Sequence, residues 1–168
     1  RRVIPSQPIE TPLWAFSLAI YGGAGVADEC LDLQERLGLD INILLFAAFL
    51  GAVEAVRLEV SDIAAANAEV AHWQTEIVLP LRQVRRALKP MSAEGLRAQV
   101  KAAELEAEKI ELAMLWQWSR RQLADRQRGD RTGALGGNLR AVFEFYRTPD
   151  LPETALPRLL AAASAYVP

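Results

Sequence analysis

The sequence predicts an all-α fold, an antiparallel bundle of six or seven helices around one buried central helix. Apolar residues recur every three or four positions over long stretches, which is the helical period. No stretch alternates apolar and polar residues as a half-buried strand does. One segment, Asp40 to Val53 (DINILLFAAFLGAV), is apolar on every side of a helical wheel, with Asn42 its one polar residue inside the run. A helix without a polar face is buried all round. The segment is shorter than the ~18 apolar residues of a membrane span, and Asp40 on one side and Glu54 and Arg57 on the other bound it. It is therefore expected to be the centre of a water-soluble bundle, with Asp40 as its N-cap. Gly51 would admit a neighbouring backbone.

Composition sets the limits. A chain of 168 residues, 51 % of them apolar, can bury one core, so a single helical domain is expected over 11–168. It follows a disordered arm over 1–10, which carries two prolines. A formal charge of -2 gives no global reason to expect nucleic acid or a membrane surface as partner. Cys30 is the only cysteine, so no internal disulfide can form. The opening RRVIPSQPIE lacks the apolar core of a secretory signal. Both features lead to the expectation of a cytoplasmic protein.

In chain order, Thr11 with Pro12 opens a first helix, Leu13 to Tyr21, which Gly22 and Gly23 end. A second runs from Val26 to Leu37 with Val26, Cys30, Leu33 and Leu37 inward, and Gly38 as its stop. The central helix is expected to continue to about Glu59. Ser61 then caps a fourth, with the stripe Ile63, Ala66, Val70, Trp73, Ile77, Leu81, Val84 and Leu88. Pro80 should kink this helix rather than break it, because the stripe continues on both sides. Pro90 ends it, and Ser92 starts a fifth helix reaching about Gln127. The inner stripe of that helix begins at Leu96 and Val100, and Leu105, Leu112 and Leu115 lie on a second apolar face. The short turn makes the two an antiparallel hairpin. Equal rise per residue then sets Arg82 opposite Glu104 and Trp73 near Ile110. Arg128 to Asn138 (RGDRTGALGGN) reads as a flexible loop, with Asn138 capping a short helix and a last helix from Glu153 to Tyr166.

Four stretches resemble a bacterial family known as domain of unknown function 2390. They are Trp14 with Ser17 and Tyr21, CLDLQERLGLDINILLF from Cys30 to Phe46, PLRQVRRALK from Pro80 to Lys89, and KAAELEAEKIE from Lys101 to Glu111. The resemblance implies a bacterial, cytoplasmic, helical protein and brings no assigned activity or cofactor.

Candidate chemistry is sparse. Cys30 and the only histidine, His72, are too ordinary in placement to suggest a nucleophile and base, since Cys30 lies on an inner stripe. Glu69 and His72 sit one turn apart, and folding the hairpin brings Glu108 and Glu111 opposite. This defines a candidate metal set of Glu69, His72, Glu108 and Glu111, although a dinuclear site would need a second histidine. Arg82, Arg85 and Arg86 near the end of the fourth helix, and Arg128 and Arg131 in the glycine-rich stretch, are candidate anion-binding residues. Their ordinary use is to complement a helix dipole and pair with acids. The glycines fit neither a P-loop nor a dinucleotide fingerprint. With no catalytic residue and no cofactor indicated, the expected function is a non-enzymatic protein-interaction or regulatory module, acting on a protein partner or as a homo-oligomer. The alternative is a helical binder of, or enzyme acting on, a small apolar or phosphate-bearing ligand. An open pocket of about 300 Å³ or more, rimmed by Arg or Glu, would favour the alternative.

Overall fold

The computed structural model describes residues 9–168. The arm expected over 1–10 therefore lies, but for Ile9 and Glu10, outside the described residues. The all-apolar segment forms helix α3, Ile41–Ala52, and every residue from Ile41 to Gly51 is buried. The Asp40 carboxylate caps it by accepting the Asn42 N–H at 2.9 Å. The helix is shorter than expected. The Val56 N–H turns back to the Leu50 carbonyl at 2.8 Å and the Ala55 N–H to that of Gly51 at 3.2 Å. Ala55 takes the left-handed conformation, with φ 56°. Back-bonds around a left-handed residue close a helix, and here no glycine or proline announces the stop.

The segment expected to be a flexible loop is instead the first half of helix α7, Arg131–Phe145. Asp130 starts it, its carboxylate accepting the Gly133 N–H at 2.7 Å. Glycine inside a helix costs about 1 kcal/mol relative to alanine, and the packing against α3 offsets that cost. A Cβ on Gly51 would lie 2.5 Å from Leu135 Cα and 2.8 Å from the Ala134 carbonyl carbon, so the backbones of α3 and α7 touch. Asn138 is no cap but a fully buried residue of the helix interior. Its side-chain oxygen accepts the Leu58 N–H at 2.7 Å. Its amide donates to the carbonyls of Ala47 at 3.1 Å and Val56 at 2.9 Å. One side chain thus ties the link after α3 to both helices.

Helix α4, Val60–Trp73, runs through a π-turn, Gln74–Val78, into α5, Leu79–Leu88. Its cap is Glu59 rather than Ser61, and the Glu59 N–H donates to Asp62 at 2.8 Å. The chain stays helical past Pro80, as expected, and the π-turn stands just before it. Proline has no N–H and crowds the preceding turn, and a π-turn is one way to absorb that misfit. The wider turn rotates the phase of everything after it. Ile63, Ala66 and Val70 are buried as expected, but next comes Val78, while Ile77 is 36 % and Val84 47 % exposed. The face turned inward now carries Arg82 and Arg85. Helix α6, Glu94–Gln122, returns antiparallel. Arg82 meets Glu104 as the register requires, at 3.2 Å, and the Trp73 indole N–H donates to the Ala107 carbonyl at 2.9 Å, one turn from the expected Ile110. Leu96 and Leu105, expected inside, are exposed, whereas Leu112 and Leu115 are buried as expected, with Trp118 beside them.

Helices α1, Pro12–Tyr21, and α2, Val26–Leu37, fall close to where the sequence places them, with Thr11 capping the first and Gly38, at φ 64°, ending the second. Pro157 divides the last helix into α8, Pro152–Ala155, and α9, Pro157–Ala165. Edge-to-face rings lock these elements onto α3. Phe16 meets Phe49 at 5.5 Å and Tyr166 at 5.0 Å, and Phe46 meets Trp118 at 6.0 Å. Among the described residues there is no strand, only an isolated antiparallel bridge between Val56 and Arg128. No helix among them is long and apolar enough to cross a membrane.

Candidate functional site

A cleft of about 130 Å³ opens where the α5–α6 hairpin meets α1 and the start of α3. Trp14, Ser17, Leu18 and Tyr21 share one face of α1 by their three-and-four spacing, and they form one wall. Asp40, Ile41 and Asn42 form the floor, and Arg82, Leu105, Glu108 and Leu112 close the hairpin side. Glu104, Glu108 and Glu111 also follow one face of α6.

The hairpin side is a charge clamp. Arg82 donates to Glu104 at 3.2 Å and to Glu108 at 2.9 Å, and Arg85 also pairs with Glu104. Burial alone would raise the Glu104 carboxyl, but its hydrogen bonds and attraction to Arg85 and Arg82 outweigh burial and hold it below the usual carboxylate range. Glu108 moves the other way, because burial outweighs its single partner Arg82. Glu111 is fully buried. Its Oε2 accepts the Asn42 side-chain amide at 3.0 Å. Burial pushes its carboxyl well above the usual range, and the charge and hydrogen bond of Asp40 push it further. Two carboxyls sharing one site cannot both ionise cheaply, so Glu111, hydrogen-bonded to Asp40, favours its protonated form. The Asp40 N–H donates to the Tyr146 hydroxyl at 3.2 Å. Burial, with the Asp40 charge adding to it, raises that phenol.

Three oxygens stand out at this floor. Ser17 Oγ is buried with no hydrogen-bond partner among the described residues, and Asp40 Oδ2 and Glu111 Oε1 are buried with none but each other. A buried polar group without a partner costs about 1–3 kcal/mol. The cleft is therefore a place where a proton, a donor or a cation would be bound with profit to the fold.

The other candidates resolve differently. Glu69, His72, Glu108 and Glu111 do not converge. Glu69 pairs with Arg121, Glu108 with Arg82 and Glu111 with Asn42, and His72 is exposed. No group of three or more His, Cys, Asp or Glu among the described residues is placed to hold a metal ion. The π-turn is one reason, since it changes which α4–α5 positions face α6. Of the anion candidates, Arg82 and Arg85 are engaged by Glu104, Arg86 is exposed beyond them, and Arg128 and Arg131 lie exposed at the start of α7. Asp130 already takes the Gly133 N–H there. Elsewhere in the Arg-rich second half, Arg120, Arg121, Arg126 and Arg140 pair with Glu54, Glu69, Asp62 and Glu153. The Cys30 thiol is buried, and burial, with Glu29 adding to it, pushes it up to about 12, the reverse of an activated nucleophile.

Sequence reasoning read Asp40 only as a cap and Ser17 only as part of a resemblance. The available signal was Asn42, the one polar side chain in a helix otherwise without any, next to an acid and one fold-back away from a face of three glutamates.

A family model described as "Protein of unknown function (DUF2390)" matches residues 12–115, more than half of the chain. Every residue lining the cleft lies within that span. Comparison with curated proteins and with solved structures gave no match.

Proposed function

Since the chain belongs to this family, whose description carries no activity, we propose from the site itself that it is a cytoplasmic, non-enzymatic interaction module whose recognition surface is the cleft and its rim. The observation that carries this reading is the size of the cleft. At about 130 Å³ it is well below the roughly 300–1,000 Å³ that encloses a small ligand, and it suits a single side chain presented by a partner. Leu18 and Leu105, 53 % and 52 % exposed, flank it with Tyr21. Exposed apolar side chains grouped at one place are what a protein-interaction site presents. The test is to immobilise wild type and a Leu18→Glu/Leu105→Glu variant side by side and compare what each retains from native lysate. A retained protein that binds wild type directly when purified, and fails to bind the variant, supports the module. Identical retention by both, with identical melting curves, contradicts it.

A second reading, a binder of a small phosphate-bearing ligand, draws on a wider surface hollow of about 490 Å³ lined by Glu10, Trp116, Arg120 and Arg121, which meets the size and the Arg or Glu rim set out for that alternative. Arg120 already lies over the Trp116 ring at 4.1 Å and pairs with Glu54. A rise in melting temperature with millimolar inorganic phosphate, lost in Arg120→Ala/Arg121→Ala, would favour it.

A further inference from the structure

The floor of the cleft carries more negative charge than the hairpin neutralises. Asp40 and Glu108 line the cleft with Arg82, while Glu104 and Glu111 lie beside it on α6. The two guanidinium groups are already engaged, Arg82 by Glu104 and Glu108 and Arg85 by Glu104. Asp40 and Ser17 are 7 % and 4 % exposed, and both line the cleft. Ser17 Oγ has no hydrogen-bond partner among the described residues, and Asp40 Oδ2 has none but Glu111 Oε1 behind it. A proton shared between Asp40 and Glu111 satisfies two of these oxygens and leaves Ser17 Oγ unused. A donor with several N–H groups and a positive charge satisfies all the acceptors it can reach. The walls above are Tyr21, Leu105 and Leu112, apolar surface for an aliphatic stem. Beside the cleft Lys109 Nζ lies 5.2 Å from the centre of the Trp14 ring, so an ammonium is already accommodated against this wall.

We propose that the cleft receives a lysine side chain of a partner protein, its ammonium on Asp40 Oδ2 and Ser17 Oγ and its methylene stem against Tyr21 and Leu105. The inference rests on the interaction-module reading. A compact ammonium with three donors fits a narrow acidic floor, whereas the broad fork of a guanidinium would meet Arg82 at the rim. Entry of the ammonium displaces the proton that Asp40 and Glu111 share, and that proton leaves to water. The charged neighbours that set this balance are Arg82 and Arg85 from α5 and Glu104 and Glu108 from α6. Tyr21, from α1, Cys30, from α2, and Tyr146, at the end of α7, are all raised by burial and stay neutral. Binding therefore strengthens as pH rises above the usual carboxylate range.

The test is a ¹⁵N chemical-shift titration with Nα-acetyl-lysine N-methylamide. The expected result is saturable movement of the Ser17, Asp40 and Asn42 amides. The neutral Nε-acetylated probe should produce none. Asp40→Asn keeps the N-cap, since asparagine caps a helix as well as aspartate does, and should weaken binding at least tenfold at a temperature where its own melting curve shows it folded. Equal binding of the neutral probe, undiminished binding by Asp40→Asn, or tighter binding of the matching arginine derivative would overturn the assignment. The two levels separate cleanly. If the lysine probe binds but the Leu18→Glu/Leu105→Glu variant captures the same proteins as wild type, the module reading falls and the ammonium site stands. If the variant loses its partner and no lysine probe binds, the ammonium site falls and the module stands.

Discussion

Where α3 meets α7, a glycine without a side chain lets two backbones touch, and a buried asparagine closes three backbone hydrogen bonds. Where α5 meets α6, no residue of α5 is fully buried, and two arginines grip two glutamates. The first contact is fixed by shape and the second by charge. Shape tolerates pH and salt but no added volume. Charge tolerates added volume at the surface but not the loss of a partner. The cleft lies on the border, with its floor on the start of α3 and its far wall on the hairpin.

The largest effect should come from breaking the apolar half. Phe46→Asp places a charge at a site 1 % exposed. An unpaired buried charge costs at least several kcal/mol, comparable to the ~5–15 kcal/mol that holds a typical domain, so soluble folded protein should be lost. A cooperative melt near that of wild type would contradict this. Gly51→Ala comes next. Its methyl would press on the Leu135 and Ala134 backbone, which cannot turn aside, so a loss of about 3 kcal/mol is expected in denaturant titration. Gly95→Ala sharpens the contrast. A Cβ there meets nothing within 4 Å, and the same change in the hairpin should gain up to about 1 kcal/mol of helix propensity.

How much of this was legible follows the same border. The central helix was readable because a segment without a polar face has one way to be buried. The hairpin register was readable because Pro90 and Ser92 leave little chain for the return. Its phase was not, since nothing in the stripe signals that a π-turn will hand the inward face from Leu81 and Val84 to Arg82 and Arg85. Helix α7 was unreadable because Gly133, Gly136 and Gly137 signal a loop in isolation, and the contact of Gly51 with Ala134 and Leu135 that packs the segment on α3 is not visible in the sequence. The wall of the cleft was present in Trp14, Ser17 and Tyr21. Its floor needed Asn42 and Glu111, 69 positions apart, to be brought to 3.0 Å.

The smallest expected effect is one of slope. Glu111 has a raised carboxyl in the fold because of burial and then Asp40, so the folded state binds a proton that the unfolded state releases. Its contribution is fully present below the ordinary value of 4.5 and is lost as pH rises through the folded value. Glu111→Gln removes this titration, and its amide can donate to Asp40 as the shared proton did. The melting temperature of the variant relative to wild type should therefore rise with pH above the ordinary carboxylate range and level off once Glu111 of the folded wild type is ionised. A constant difference would contradict the shared-proton account.

The division into a shape-held body and a charge-held hairpin is tested most directly by native-state hydrogen exchange on wild type and Glu104→Gln. In wild type, amides of α3 and α7 should exchange only through global unfolding, and those of α5 from Leu81 to Leu88 through a smaller, local opening. Removing the Glu104 charge leaves Arg85 without its partner and Arg82 with only Glu108, a loss of about 1–3 kcal/mol on the hairpin. Exchange in α5 should quicken at least tenfold, and α3, which opens only with the whole fold, should lose the same free energy and keep its lead over α5. Equal protection of α3 and α5 in wild type, or unchanged exchange of α5 in the variant, would contradict the account.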